Sequence, residues 1–151
     1  MVKLIIVIGL PGSGKSCYLN SLKYEKIVDH IIHDFHAGAA SFCFYDSKYA
    51  NELVELLKSG INCGVADISF CKAFRRNAFI EGINDNIKDI QIEYHCFENN
   101  PETCKHNVLI RNRKGVQNEL LRIDEFTENF DILENYKMMP VFQMKTISTD
   151  Q

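Results

Sequence analysis

The chain has 151 residues, 46% of them hydrophobic, with 17 Lys and Arg against 20 Asp and Glu for a formal net charge of −3. That length suits a single domain over residues 1–151 with a sizeable core, and the charge offers no global attraction to nucleic acid or to a membrane surface. No apolar run approaches membrane-spanning length, and the N-terminus runs straight into a predicted strand rather than a signal peptide. Cys17, Cys43, Cys63, Cys71, Cys96 and Cys104 form no C-x-x-C pair and lie mostly in apolar segments. They read as buried, reduced thiols, so an intracellular, cytoplasmic protein is expected.

Leu4-Ile5-Ile6-Val7-Ile8 reads as a buried strand. It runs into Gly9-Leu10-Pro11-Gly12-Ser13-Gly14-Lys15-Ser16, which matches the phosphate-loop pattern G-x-x-x-x-G-K-[ST] at every fixed position. Ser16 to Leu22 then reads as a helix, with Leu19 and Leu22 at helical spacing. Strand, loop and helix are the setting that the motif requires. Gly12 and Gly14 let the backbone turn its N–H groups inward around phosphate oxygens. The new helix also presents its positive end to the anion. Lys15 reaches β- and γ-phosphates, and the Ser16 hydroxyl suits Mg²⁺. Gly9, Pro11, Gly12, Ser13, Gly14, Lys15, Ser16 and the adjoining Cys17 are therefore the candidate nucleotide-binding residues.

A second strand is predicted over Lys26–His33, followed by His33-Asp34-Phe35-His36 and a small-residue loop, Ala37 to Ser41, that lets a ligand approach. Ser47 is placed to cap a helix running to Lys58, with Leu53, Val54, Leu56 and Leu57 inward and Gly60 ending it. Ile61–Asp67 is a third strand ending in a carboxylate, and Cys71–Ile83 a helix carrying Arg75 and Arg76. Asp89–Phe97 alternates as a fourth strand. Asn100-Pro101-Glu102 opens a helix, since proline fits its first turn, and that helix ends in Arg111-Asn112-Arg113-Lys114 before Gly115. Val116, Leu120, Ile123, Phe126, Phe130 and Leu133 mark an amphipathic helix, and Val141–Ile147 a closing strand after Pro140. Strands alternating with helices predict a three-layer α/β/α domain around a parallel sheet.

Ligands of such sheets bind beyond the carboxyl ends of the strands. Asp34 and Asp67 fall there, and the basic run follows strand four by one helix. Phosphoryl transfer needs a phosphate cradle, Mg²⁺, a carboxylate to orient an acceptor hydroxyl, and cations for the transferring charge. Asp67 after an apolar strand is the usual second metal position, beside Ser16. Arg75 and Arg76 read equally well as solvated surface. His30, His33 and His36 stand three apart but straddle a strand end, and no cysteine completes a zinc set, so a metal site there is the weaker reading.

Four stretches resemble the small P-loop kinases of the polynucleotide-kinase and zeta-toxin type, within the adenylate-kinase-like nucleoside kinases. They are Ile5–Ser16, His33-Asp34-Phe35-His36, Val65-Ala66-Asp67-Ile68-Ser69 followed by Arg75-Arg76, and Pro101-Glu102 through Arg111-Asn112-Arg113. The resemblance covers roughly residues 3 to 115 and implies a P-loop NTPase fold with a five-stranded sheet in the order 2-3-1-4-5. It further implies ATP and Mg²⁺ as cofactors. Lys15, Arg111 and Arg113 would stabilise the transferring phosphoryl group, Ser16 would hold the metal, and a carboxylate near Asp34 would take the acceptor's proton. The sequence departs from that pattern where the carboxylate pair becomes His33-Asp34, leaving two candidates for the base, and where the arginine after the aromatic becomes His36. The expected reaction is transfer of the ATP γ-phosphate to a hydroxyl of a nucleic-acid 5′ end, a nucleotide or a nucleoside. An NTP hydrolase or switch, and a nucleotide-binding module without catalysis, are the alternatives. Asn86-Ile87-Lys88-Asp89 lacks the N-K-x-D order that guanine recognition uses. No membrane or obligate protein partner is indicated.

Overall fold

Val2–Ile8 forms β1, and every side chain from Leu4 to Ile8 is buried, so both of its faces are covered. Such a strand belongs in the middle of a parallel sheet, and its β-branched run is the sequence signature of that position. The structure, a computed structural model, describes residues 1–35, 43–128, 130–131 and 136–145. In it the sheet has five parallel strands in the order β2-β3-β1-β4-β5, with helices on both faces. The other strands are β2 (His30–Ile32), β3 (Cys63–Ala66), β4 (Ile90–Phe97) and β5 (Lys137–Met139). β1 pairs with β3 through Leu4↔Cys63 to Val7↔Ala66, and with β4 through Val2↔Ile90 to Ile8↔Cys96. The carboxyl ends of β1, β3 and β4 are thereby level at one edge of the sheet.

The helices are α1 (Lys15–Tyr24), α2 (Ala50–Lys58), α3 (Ala73–Asn86), α4 (Pro101–Arg111) and α5 (Val116–Thr127). The predicted inward residues Leu19 and Leu22 of α1, Leu53, Val54 and Leu57 of α2 and Ile123 and Phe126 of α5 are buried, while Leu56 and Leu120 are half-buried. Gly60 ends α2 at φ +81, a left-handed conformation that glycine adopts without strain. Asn100 caps α4, its side chain accepting from Thr103 N at 3.2 Å.

Several predicted boundaries move. β2 is confined to His30–Ile32, because Lys26 turns at φ +62 and the N–H groups of Asp29 and His30 both go to the Asn62 carbonyl before pairing starts. Ser47 does not cap α2 directly; its hydroxyl donates to the Phe35 carbonyl and accepts from Tyr49 N, ahead of the first helical residue. α3 starts at Ala73 rather than Cys71, since Ile68–Cys71 is a tight 3-10 turn, and it runs on to Asn86. α5 stops at Thr127, and Leu133 lies outside the described residues. The largest correction is the closing strand, which precedes Pro140 instead of following it. The ladder ends with Glu98 N bonded to Met139 O, and Pro140 has no N–H to continue it. Beyond it, Val141 N turns to the Glu98 carboxylate, and side chains of α4 take up the backbone of Phe142 and Met144. Thr146 and Ile147 lie outside the described residues.

An aromatic cluster fixes the end of β2 against α3. Phe35 stacks on Phe44 at 5.4 Å and meets Phe79 edge-on at 4.9 Å, while Phe70 lies 4.8 Å from Phe79. Gly82 of α3 lets Phe44 in, for a Cβ there would collide with the Phe44 ring. Gly82→Ala gains about 1 kcal/mol of helix propensity but overpacks this cluster at about 1–3 kcal/mol. The expected outcome is a lower midpoint of urea unfolding; a higher midpoint would show that Phe44 yields freely.

Candidate active site

The phosphate loop joins β1 to α1. Gly12 and Gly14 take φ +82 and +106, where a side chain would be strained. Gly12 also presses on α4, since a Cβ there would run into the Cys104 carbonyl and lie 3.1 Å from Val108. Ser13 N bonds Leu10 O at 3.1 Å, and Tyr18 N bonds Gly14 O at 3.0 Å as the helix begins. Lys15 folds its ammonium back over the loop, donating to Gly9 O at 2.7 Å and Leu10 O at 3.1 Å. The Ser13 hydroxyl is buried and has no hydrogen-bond partner among the described residues. An orphaned hydroxyl, an ammonium held only by carbonyls and a loop shaped by two left-handed glycines fit a polyphosphate chain.

Burial pushes the Lys15 amine below its ordinary value, while nearby Cys71, Asp34 and Asp67 push the other way. Both predicted carboxylates therefore stand within electrostatic reach of the loop lysine. Asp67 is buried just past β3, where one carboxylate oxygen accepts the Ser69 hydroxyl at 2.8 Å. Asp34 is exposed, and it is held in place by its neighbour: Phe35 is fully buried and its N–H bonds Ala66 O at 3.1 Å. His33 is exposed beside it. His30 turns away to Glu52 at 3.4 Å, and no metal-ligating cluster forms among the described residues. His36 and the small-residue loop from Ala37 to Ser41 lie outside the described residues.

The arginines divide. Arg111, the last residue of α4, donates through one Nη2 to both Glu119 carboxylate oxygens at 3.2 and 3.1 Å, while its buried Nε has no partner. Arg113 is exposed in the turn between α4 and α5 and makes no ion pair among the described residues. The structure thus sets Asp34 and Asp67 within electrostatic reach of Lys15, ties Arg111 to α5 and leaves Arg113 at the surface. Arg75 lies between the rings of Phe74 and Phe126, at 5.6 and 5.2 Å. Arg76 is not solvated surface: it is 2% exposed, donates to Phe70 O at 2.7 Å and lies over the Tyr136 ring.

Sequence reasoning missed several neighbours of the loop. Asn107 is buried in α4 and donates to Gly12 O at 2.9 Å. The signal was present in the spacing, because Cys104, Asn107, Val108 and Arg111 recur as one helical face. Tyr18, three residues beyond Lys15, contacts His95 Nδ1 through its hydroxyl at 2.6 Å and packs edge-on against Phe97. Nothing local to either residue marks that pairing. Cys71 and Cys104 flank Lys15 closely enough to affect its charge. Burial drives their thiols up, to about 12 for Cys71 and about 11 for Cys104, and Cys63 and Cys96 rise to about 12. A raised thiol pKa leaves little thiolate at pH 7. Brief iodoacetamide treatment of the folded protein should therefore modify the exposed Cys17 and Cys43 and spare the other four. Rapid modification of Cys71 or Cys104, located by peptide mass spectrometry, would contradict their burial against the loop.

No protein-family model matches the chain. It is 35% identical over 149 residues to the uncharacterized protein R277 of Acanthamoeba polyphaga mimivirus, covering 93% of this chain and 98% of that protein. Among solved structures it is similar to a gluconokinase from Sinorhizobium meliloti 1021, with a TM-score of 0.61 and 16% identity over 94% of this chain and 84% of that one. A fungal RNA kinase gives a TM-score of 0.59 and 11% identity, over 99% and 78% of the two chains. A chain of the Pnkp1/Rnl/Hen1 RNA repair complex gives 0.53 and 17%, over 96% of this chain and 50% of that one. At such identities the likeness is one of fold, and the fold is that of the P-loop kinases.

Proposed function

The chain belongs to one family with the mimivirus protein R277, and from the site it carries we propose that it is an ATP-dependent phosphotransferase. It transfers the γ-phosphate to a hydroxyl of a nucleic-acid 5′ end, a nucleotide or a nucleoside. What supports this reading is that Asp34 and Asp67 follow the carboxyl ends of β2 and β3, within electrostatic reach of Lys15 in a phosphate loop that follows β1. The acceptor oxygen attacks the γ-phosphorus and its proton passes to the Asp34 carboxylate, with His33 beside it. The bond from that phosphorus to the bridging oxygen breaks, and ADP leaves. Lys15 leaves the Gly9 and Leu10 carbonyls for the β- and γ-phosphate oxygens, and the orphaned Ser13 hydroxyl donates to the chain. Ser16 and Asp67 would hold Mg²⁺, which supplies neutralisation of the phosphate charge. Arg111 and Arg113 complete the charge stabilisation once Arg111 exchanges Glu119 for phosphate.

The pairing of Arg111 with Glu119 favours a second reading, a nucleotide-binding module in which that exchange never occurs. Transfer from γ-labelled ATP with Mg²⁺ separates the two readings. The acceptors are 5′-hydroxyl DNA and RNA, nucleosides, nucleoside monophosphates and small sugars; the sugars enter because the gluconokinase shares the fold. Label on one acceptor class is the expected result. Lys15→Ala should lower its rate at least about a hundredfold, the scale for losing one group that stabilises transition-state charge, with an unchanged circular dichroism spectrum. Wild-type turnover by Lys15→Ala would remove its assigned role. Free phosphate alone would indicate a hydrolase, and bound ATP with no product the binding module.

A further inference from the structure

Residues 141–144 leave the sheet after Pro140 and lie as a strap along α4. Val141 N donates to Glu98 Oε1 at 3.1 Å, and Met144 O lies 3.0 Å from His106 Nε2. Gln143 Nε2 lies 3.4 Å from the same His106 nitrogen, and two further backbone anchors come from one side chain. Asn107, 3% exposed, donates through Nδ2 to Phe142 O at 2.8 Å and accepts Met144 N on Oδ1 at 2.7 Å. The second hydrogen of the same Nδ2 goes to Gly12 O of the phosphate loop at 2.9 Å. All three partners agree on the orientation of the amide, for a flip would set its oxygen against two carbonyls and its NH₂ against an N–H.

The peptide between Gly12 and Ser13 is consequently clamped along both edges. Its carbonyl is held by Asn107, and its N–H by Leu10 O at 3.1 Å. That peptide sets the direction of Ser13, whose buried hydroxyl is the orphaned donor in the loop. The strap itself is held lightly. Val141 is buried, but Phe142 is 78% exposed and Met144 40% exposed, so backbone bonds to three side chains do most of the holding. A segment with so little apolar burial opens at low free-energy cost.

We propose that Asn107 is a positioning residue that couples the strap to the phosphate loop, so that strap docking and polyphosphate binding are one linked equilibrium. The proposal rests on reading the loop as a polyphosphate site. If strap docking fixes the Gly12–Ser13 peptide and so favours polyphosphate, then bound polyphosphate must favour the docked strap by the same factor.

The test uses the full-length chain and two variants. Asn107→Asp replaces the NH₂ group with an oxygen facing two carbonyls. Met144→Pro removes the N–H that Asn107 accepts and leaves the loop untouched. Calorimetry measures affinity for Mg·ATP and for inorganic tripolyphosphate, which lacks a base, while hydrogen exchange follows the Met144 amide. ATP should slow exchange at Met144 in the wild type. In Asn107→Asp the Met144 amide should exchange fast whether or not ATP is present. That variant should lose about tenfold in affinity, roughly 1.4 kcal/mol, for both ligands. Met144→Pro should lose several-fold, and the double variant should lose less than the product of the two.

Unchanged affinity in Met144→Pro, or a loss for ATP without one for tripolyphosphate, would overturn the coupling. So would Met144 exchange that ignores ATP in a wild type that binds it. If Asn107→Asp fails to fold, Met144→Pro decides alone. A wild type that binds neither ligand instead overturns the reading of the loop itself, and the coupling with it.

Discussion

One ammonium group organises this molecule. Lys15 reaches back over its own loop to the Gly9 and Leu10 carbonyls, with Asp34, Asp67 and two buried thiols around it. A desolvated cation is costly unless its surroundings are polar and directed, and here the direction comes from backbone. β1 delivers the loop from the centre of the sheet, β3 delivers Asp67, and the buried Phe35 pins the end of β2 beside the exposed Asp34. The aromatic cluster under α3 and the contact of Gly12 with α4 keep those deliveries in register.

The parts of this arrangement that were legible in the sequence are those carried by local chemistry. A fully matched phosphate loop, a β-branched strand before it and strands alternating with helices are sufficient for a three-layer fold. Strand order came from resemblance instead, because pairing between distant segments leaves no local trace. Boundaries failed where a single backbone bond decided them. Asn62 delays β2, a 3-10 turn delays α3, and Pro140 ends the ladder that alternation alone would have continued through Val141–Ile147. Alternation cannot tell a strand from an extended segment tied down by side chains. Burial of a charged residue was equally hidden: Arg76 looks like surface until Phe70 and Tyr136 are brought to it from far along the chain.

The candidate site shows the same division. Lys15, Ser16 and the glycines announce themselves by spacing, and Asp67 by its place after a strand. Asn107 does not, since a buried amide is a structural residue or a functional one according to what lies opposite. Here a phosphate-loop carbonyl lies on one side and the strap backbone on the other. The arginines of α4 and the following turn were legible as cations, but their state was not. Arg111 is paired with Glu119, four residues into α5. On the proposed function, bringing Arg111 to the phosphates would require a rearrangement between two helices joined by the turn over residues 112–115.

On the proposed function, Lys15 is held in reserve by carbonyls and released to a polyphosphate. A crystal structure with Mg²⁺ and a non-hydrolysable ATP analogue tests it directly. The expected result is the β- and γ-phosphates inside the Gly9–Ser16 loop, Ser13 Oγ donating to the chain, and Lys15 Nζ moved from the Gly9 and Leu10 carbonyls onto phosphate oxygens. An analogue bound elsewhere, or one in the loop with Lys15 still on its carbonyls, would contradict it.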